Sequence, residues 1–205
     1  MTVSGKLSGT ALLLIDLQND FIHADGAYAR GGQSVPEIAV LPRLLSPLAR
    51  AVQQSGGMVI VSQFTLVPGR GGEPIISPHL KKLRPFLRRG DFAPGSWGQS
   101  VVEELEPVDA TIEKVSYSAF YMTRLEWLLR KCAIDSLIVG GIVTNGGVAS
   151  TVRDAHARDI PVTLLTDGCA AFSPQVHEAA LEGLRPVAEM SSTDREIAKL
   201  SGLQE

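Results

Sequence analysis

Two charged residues stand where apolar segments end. Asp16 interrupts the run LLLIDLQ, and Lys114 closes ATIEK. A carboxylate in so apolar a segment is costly to bury unless it is paired, and burial raises its pKa toward the range of a general acid or base. Lys114 offers the pairing cation from an equivalent position. An ion pair that merely ties two strands together is the alternative, but strand-end charges in an open α/β sheet line the ligand crevice. The third feature is the turn Gly140-Gly141-Ile142-Val143-Thr144-Asn145-Gly146-Gly147-Val148. Glycine there lets backbone amides approach a ligand, and the N-terminus of a following helix favours negative charge. Other chemistries lack their residues. No G-x-G-x-x-G follows the first strand, and no phosphate loop with Lys-Ser/Thr occurs. His23, His79, His156 and His177 are scattered, each reading as a lone surface histidine, so no metal is expected.

The elements that must position these residues are legible as short apolar runs. Thr10–Leu17, Met58–Gln63, Ala110–Glu113, Ser136–Ile142 and Pro161–Thr166 read as strands, with a sixth at Pro186–Met190. Runs such as LLLI and VTLLT do not alternate with polar residues, so both sheet faces are covered, as a parallel sheet requires. Helical periodicity fills Pro36–Gln54, Thr123–Cys132, Val148–Arg158, Gln175–Leu184 and Ser192–Leu200, the last opening on a Ser/Thr cap followed by acids. The expected fold is a three-layer α/β/α sandwich on a mostly parallel, roughly six-stranded sheet, with right-handed crossovers. Residues 65–100, rich in Gly and Pro, read as a lid or binding insertion. The strand ends, where ligands bind, carry Asp16, Gln63–Thr65, Lys114, Val143–Gly147 and Asp167–Gly168.

Composition narrows the class. The chain has 205 residues, 44% hydrophobic and 20% charged, with a net charge of −3, which suits one domain spanning 1–205. The acidic balance argues against nucleic acid or an anionic membrane surface as partner. No apolar run approaches the roughly 18 residues of a membrane span, and the start MTVSGKLSG lacks a leader's apolar segment. Two cysteines, Cys132 and Cys169, are too few for a disulfide framework, which points to a reducing, cytoplasmic setting. Both read as packing residues, and Trp127, on the helix LEWLLRK, reads as core.

Three motifs, LLLIDLQNDF, EKVSYSAF and GGIVTNGGVASTVRDAHARDIPVTLLTDGCAAFS, together resemble the isochorismatase-like hydrolase superfamily, in the right order across nearly the whole chain. The resemblance implies an α/β sandwich enzyme, a homodimer or homotetramer, that hydrolyses a small molecule without an organic cofactor. Its amidase branch uses an Asp, a Lys and a Cys. The first two fall on Asp16 and Lys114; the third belongs in G-V-x-T-N-x-C-V, where this chain reads G-I-V-T-N-G-G-V. Gly147 therefore stands at the nucleophile position, and glycine has no side chain to attack a carbonyl. Isochorismatases proper also carry glycine there and cleave a vinyl ether, which needs an acid and water but no protein nucleophile. The first motif, Thr144-Asn145 and the lid sequence Pro94–Gly98 resemble the amidase branch instead.

The resemblance further implies a non-proline cis peptide at Ile142–Val143, aiming the Val143 and Gly147 amides at one point as an oxyanion site. Substrate contacts are expected from Phe21, Phe64, Trp97, Tyr117, Phe120, Tyr121 and Asn145. Metal binding of the nicotinamidase type would need Asp and His after the second strand, where this chain has Gln63-Phe64-Thr65. The reading is a hydrolase of a small polar metabolite, with Asp16 as acid–base and Lys114 as its electrostatic partner. The alternative is a catalytically impaired member of the amidohydrolase branch that binds a small carboxylate or amide.

Overall fold

The computed structural model describes residues 9–202; the opening segment read for a leader lies largely outside them. The strands are Thr10–Ile15 (β1), Met58–Phe64 (β2), Ala110–Lys114 (β3), Ser136–Ile142 (β4), Val162–Ala170 (β5) and Glu189–Ser191 (β6). They form one sheet in the order β3-β2-β1-β4-β5-β6, and every neighbouring pair is parallel. The helices are Asn19–Ile22 (α1), Ala27–Arg30 (α2), Pro36–Ala39 (α3), Leu41–Gln54 (α4), Pro78–Leu83 (α5), Leu125–Lys131 (α6), Ala149–His156 (α7), Pro174–Glu182 (α8) and Thr193–Leu200 (α9).

Strand alternation divides the core into two layers. Ala11, Leu13 and Ile15 of β1 pack with Leu125 and Leu129 of α6 and Val152 of α7. Leu12 and Leu14, pointing the other way, meet Leu45, Leu48 and Val52 of α4, with Ile197 of α9 at the edge. Central strands buried on both faces carry unbroken apolar runs for this reason. The sandwich and its six strands match the sequence reading, and the sheet is parallel throughout.

Several boundaries differ. The segment read as one helix over 36–54 breaks at Val40, because Pro42 has no N–H to continue the ladder and sits instead in the first turn of α4. Strand β5 runs on to Ala170 through a register shift against β4 between Val139 and Gly141. Asp167 therefore lies inside a strand, where its carboxylate accepts from the Thr193 amide at 2.8 Å and caps α9. It is no crevice residue. Trp127 is 53% exposed. Leu125 and Leu129, one turn apart, take the buried face of α6 and leave Trp127 on the opposite side. Cys132, just past the last turn of α6, is exposed, whereas Cys169 is buried and packs as read. The lid region contains one short helix, α5.

Candidate active site

The chain moves outward from β1 through β2 to β3, then returns to place β4 on β1's other side. The carboxyl ends of β1 and β4 thus flank the topological switch point, where a crevice opens in sheets of this kind. Asp16 follows β1 with φ of +57°. This left-handed conformation is uncommon outside glycine, though Asp tolerates it better than most, and such residues gather at functional sites. Its amide donates to the Ser62 carbonyl at 3.1 Å, fixing the turn.

Asp16 is 5% exposed and Lys114 2%. Lys114 Nζ lies 2.7 Å from Asp16 Oδ2, and Ser62 Oγ donates to Oδ1 at 2.8 Å. Lys114 reaches this position from β3 across β2, its ammonium 5.7 Å from the centre of the Phe64 ring, and also donates to the Ser116 carbonyl at 2.9 Å. Burial pushes the Asp16 carboxyl above its ordinary value, and the Lys114 and Ser62 contacts only partly oppose this. The site therefore holds a carboxyl group that gives up its proton less readily than an exposed one, with a cation beside it.

On the β4 side, Gly141 has φ of +113°, and a Cβ there would stand 2.3 Å from the Ile15 carbonyl oxygen. Only glycine lets β4 approach β1 so closely. The Ile142–Val143 peptide is cis, as the resemblance implied. After it, Thr144–Val148 form a single wide turn that feeds α7. A Cβ on Gly147 would lie 3.4 Å from Asp16 Oδ2 and 3.0 Å from both the Ile142 carbonyl oxygen and Ile15 Cγ2. A side chain at this position would point at the Asp16 carboxylate. The turn is held from behind by Thr151, whose hydroxyl donates to the Gly147 carbonyl at 2.7 Å and accepts from the Ala119 amide at 3.0 Å.

Asp16, Lys114, Val143 and Gly147 line one cavity of about 230 Å³ together with Phe21, Phe64 and Tyr117. That is smaller than the roughly 300–1,000 Å³ typical of ligand pockets, so it suits a small metabolite. Four residues expected at the substrate lie elsewhere. Phe120 is buried in the α6–α7 core layer, with the Arg158 guanidinium 4.8 Å from its ring centre. The bond from Thr151 to Ala119 draws that part of the segment inward. Tyr121 and Asn145 are exposed outside the cavity. Trp97 packs edge-on against His23 at 5.0 Å on the outer surface.

Other residues of the site gave little sign in the sequence. Ser62, a buried hydroxyl in MVIVSQ paired in register with Ile15, hydrogen-bonds the Asp16 carboxylate from behind the cavity wall. Tyr28 on α2 stacks on Phe172, centres 5.5 Å apart. Arg84 follows α5 and donates from Nε to the Tyr28 hydroxyl at 3.0 Å, while Leu80, Leu83 and Leu87 complete the outer wall. His79, read as a lone surface histidine, sits at the exposed rim. Among the described residues, no group of three His, Cys, Asp or Glu side chains is placed to hold a metal ion.

The insertion is anchored by buried side chains. Asp20 accepts from the Ala27 amide at 2.9 Å and the Phe92 amide at 2.7 Å. Gln18 bridges the Phe64 and Gln99 carbonyls while accepting from the Phe64 amide. These bonds explain why the LQND sequence follows Asp16: it ties the lid's return to the strand that carries the carboxylate.

A parallel α/β sandwich with a buried Asp–Lys pair at its switch point defines a class of small-molecule enzymes. Residues 10–195 match the isochorismatase domain, and the chain belongs to the isochorismatase family. It is 31% identical to a probable inactive nicotinamidase of Arabidopsis thaliana, covering 90% of this chain and 92% of that one. It is 29% identical to the ureidoacrylate amidohydrolase RutB of Acinetobacter baylyi, covering 86% and 77%. A cysteine hydrolase structure from Pseudomonas syringae pv. phaseolicola superposes with a TM-score of 0.81 at 26% identity, covering 96% and 94%.

Proposed function

We propose that this protein hydrolyses a small polar metabolite with water as the nucleophile, Asp16 as acid–base and Lys114 as its electrostatic partner. One observation carries the reading: a carboxyl group with raised pKa opens onto the cavity beside Gly147, which presents no nucleophilic side chain. The chemistry best matched to those groups is enol-ether cleavage. The Asp16 carboxyl protonates the terminal vinyl carbon, giving an oxocarbenium ion. Water adds to the oxygen-bearing carbon of that ion and returns a proton to the Asp16 carboxylate. The resulting hemiketal collapses to a ketone and an alcohol. Lys114 holds negative charge on the substrate and keeps Asp16 oriented, and the Val143 and Gly147 amides stabilise the negative charge that develops on the leaving alcohol oxygen as the hemiketal collapses. Assembly as a homodimer or homotetramer in a reducing, cytoplasmic setting completes the proposal, and the exposed Tyr121, Met122 and Trp127 side chains offer apolar surface for self-association.

A second reading, binding without turnover, draws support from the plant relative described as probably inactive. A substrate screen separates the two, setting isochorismate and other enol ethers against amides, ureides and carbamoyl compounds. Turnover of an enol ether that disappears in Asp16→Asn supports the hydrolase; ligand binding with no turnover of any class supports the second reading.

A further inference from the structure

The charges of the cavity do not cancel. Asp16 and Lys114 are paired with each other at 2.7 Å, whereas Arg84 stands on another part of the wall and takes part in no ion pair among the described residues. Its Nε is committed to the Tyr28 hydroxyl at 3.0 Å and its Nη1 to the Leu83 carbonyl at 3.3 Å, neither of which offsets the positive charge. A guanidinium stays protonated throughout the accessible pH range, so this wall of the cavity carries a positive charge that no described carboxylate offsets. Between Arg84 and Asp16 the walls are aromatic: Phe21, Phe64, Phe172 and the rings of Tyr28 and Tyr117. Such faces accept a flat, unsaturated body.

We propose that Arg84 is the anion receptor of this site and that its ligands are small, flat monocarboxylates. With Nε taken by Tyr28, the N–H groups left on Nη1 and Nη2 still form a planar edge that matches a carboxylate bidentately. Among the described residues Arg84 is the one arginine in the cavity lining, and a cavity of about 230 Å³ leaves little room for a larger anion. The proposal rests on the reading above only in taking this cavity as the substrate site. It places the carboxylate at Arg84 and the hydrolysable bond at Asp16, and it excludes neutral amides as the favoured ligand class.

Calorimetric titration of the full chain with benzoate and its neutral isostere benzamide tests it. The wild type is expected to prefer benzoate by roughly tenfold or more, the worth of a hydrogen bond to a charged group. In Arg84→Gln, benzoate falls to the level of benzamide while benzamide binding is unchanged, and Arg84→Lys recovers part of the preference. Equal affinity for the two ligands in the wild type, binding of neither, or an undiminished preference in Arg84→Gln overturns the proposal. If Arg84→Gln loses benzamide as well, Arg84→Lys decides: a retained preference supports the receptor, and equal binding overturns it. The two readings fail separately. Benzoate held through Arg84, with no hydrolysable flat carboxylate turned over, sinks the hydrolase alone; turnover confined to neutral substrates and indifferent to Arg84→Gln sinks the receptor alone.

Discussion

At the inner end of the cavity, each polar group is held by the sheet itself. Asp16 leaves β1, accepts from Ser62 on β2 and pairs with Lys114 on β3, while the turn after β4 closes over it. At the outer end, Arg84 follows a six-residue helix that buries no side chain, and one tyrosine hydroxyl and a neighbouring carbonyl are its hydrogen-bond partners. The inner end borrows the rigidity of hydrogen-bonded central strands; the outer end sits on an insertion fixed mainly through Asp20, Gln18 and Gln99. The proposed chemistry thus sits on the hydrogen-bonded strands and the proposed recognition on the insertion, a division common where loops carry specificity.

The comparison can be broken most severely at Asp16. Asp16→Asn keeps the shape and hydrogen-bonding capacity but removes the transferable proton, and turnover of the preferred substrate is expected to fall by about 10²–10⁴-fold. Benzoate binding at the outer end should persist in the same variant. Loss of both at once would show that the two ends are not separable. Lys114→Met acts on stability instead. It leaves a buried carboxylate without its cation, which costs about 3–5 kcal/mol when one partner of such a pair is removed. Chemical denaturation of Lys114→Met against the double variant with Asp16→Asn measures the coupling, and the double variant is expected to recover part of the loss.

Gly147 sharpens the comparison from the other side. The Cβ position 3.4 Å from Asp16 Oδ2 aims a new side chain at the inner end, while the 3.0 Å contact with the Ile142 carbonyl requires that oxygen to give slightly. Gly147→Cys is expected to create a thiol that forms an acyl-enzyme with an amide substrate, detected as a mass increase on the intact protein. Cys169 serves as the internal control, since burial pushes its thiol pKa up and leaves it unreactive. An engineered thiol that binds amides yet never acylates would mean that Gly147 does not occupy the nucleophile position.

The inner end was largely readable because its signals are violations: a carboxylate in an apolar strand, a lysine closing another, glycines crowding a strand-to-helix turn. Each is expensive unless the fold uses it, so each stands out against its neighbours. The strand and helix order was legible for a related reason, since strands buried on both faces must be continuously apolar. The outer end carries no such mark. Arg84 in KKLRPF reads like the exposed Arg70 in PGRGG, and a tertiary contact, the bond to the Tyr28 hydroxyl, holds the former at the cavity. Residue type misled where the neighbouring fold decided. Phe120 is as aromatic as Phe64, but the Thr151–Ala119 bond turns its segment into the core.

The smallest expected effect is the most specific to the proposed chemistry. Burial raises the Asp16 pKa above its ordinary value of 3.8, and the Ser62 hydroxyl, which favours the ionised form, holds it down. An acid that must be protonated to act loses activity as pH rises through its pKa, so kcat/KM should fall on the alkaline side. Removing a hydrogen bond that stabilises the anion raises that pKa further, and Ser62→Ala should therefore move the falling limb to higher pH. The change is expected to be a fraction of a pH unit to about one unit, since a hydrogen bond to a charged group contributes about 1.5–3 kcal/mol before solvent or neighbours compensate. If Asp16 works as a base instead, activity rises through the same pKa, and Ser62→Ala displaces a rising limb in the same direction. The sign of the limb in the wild type, read with its displacement in Ser62→Ala, separates acid-first enol-ether cleavage from base-assisted attack of water on a C–N bond.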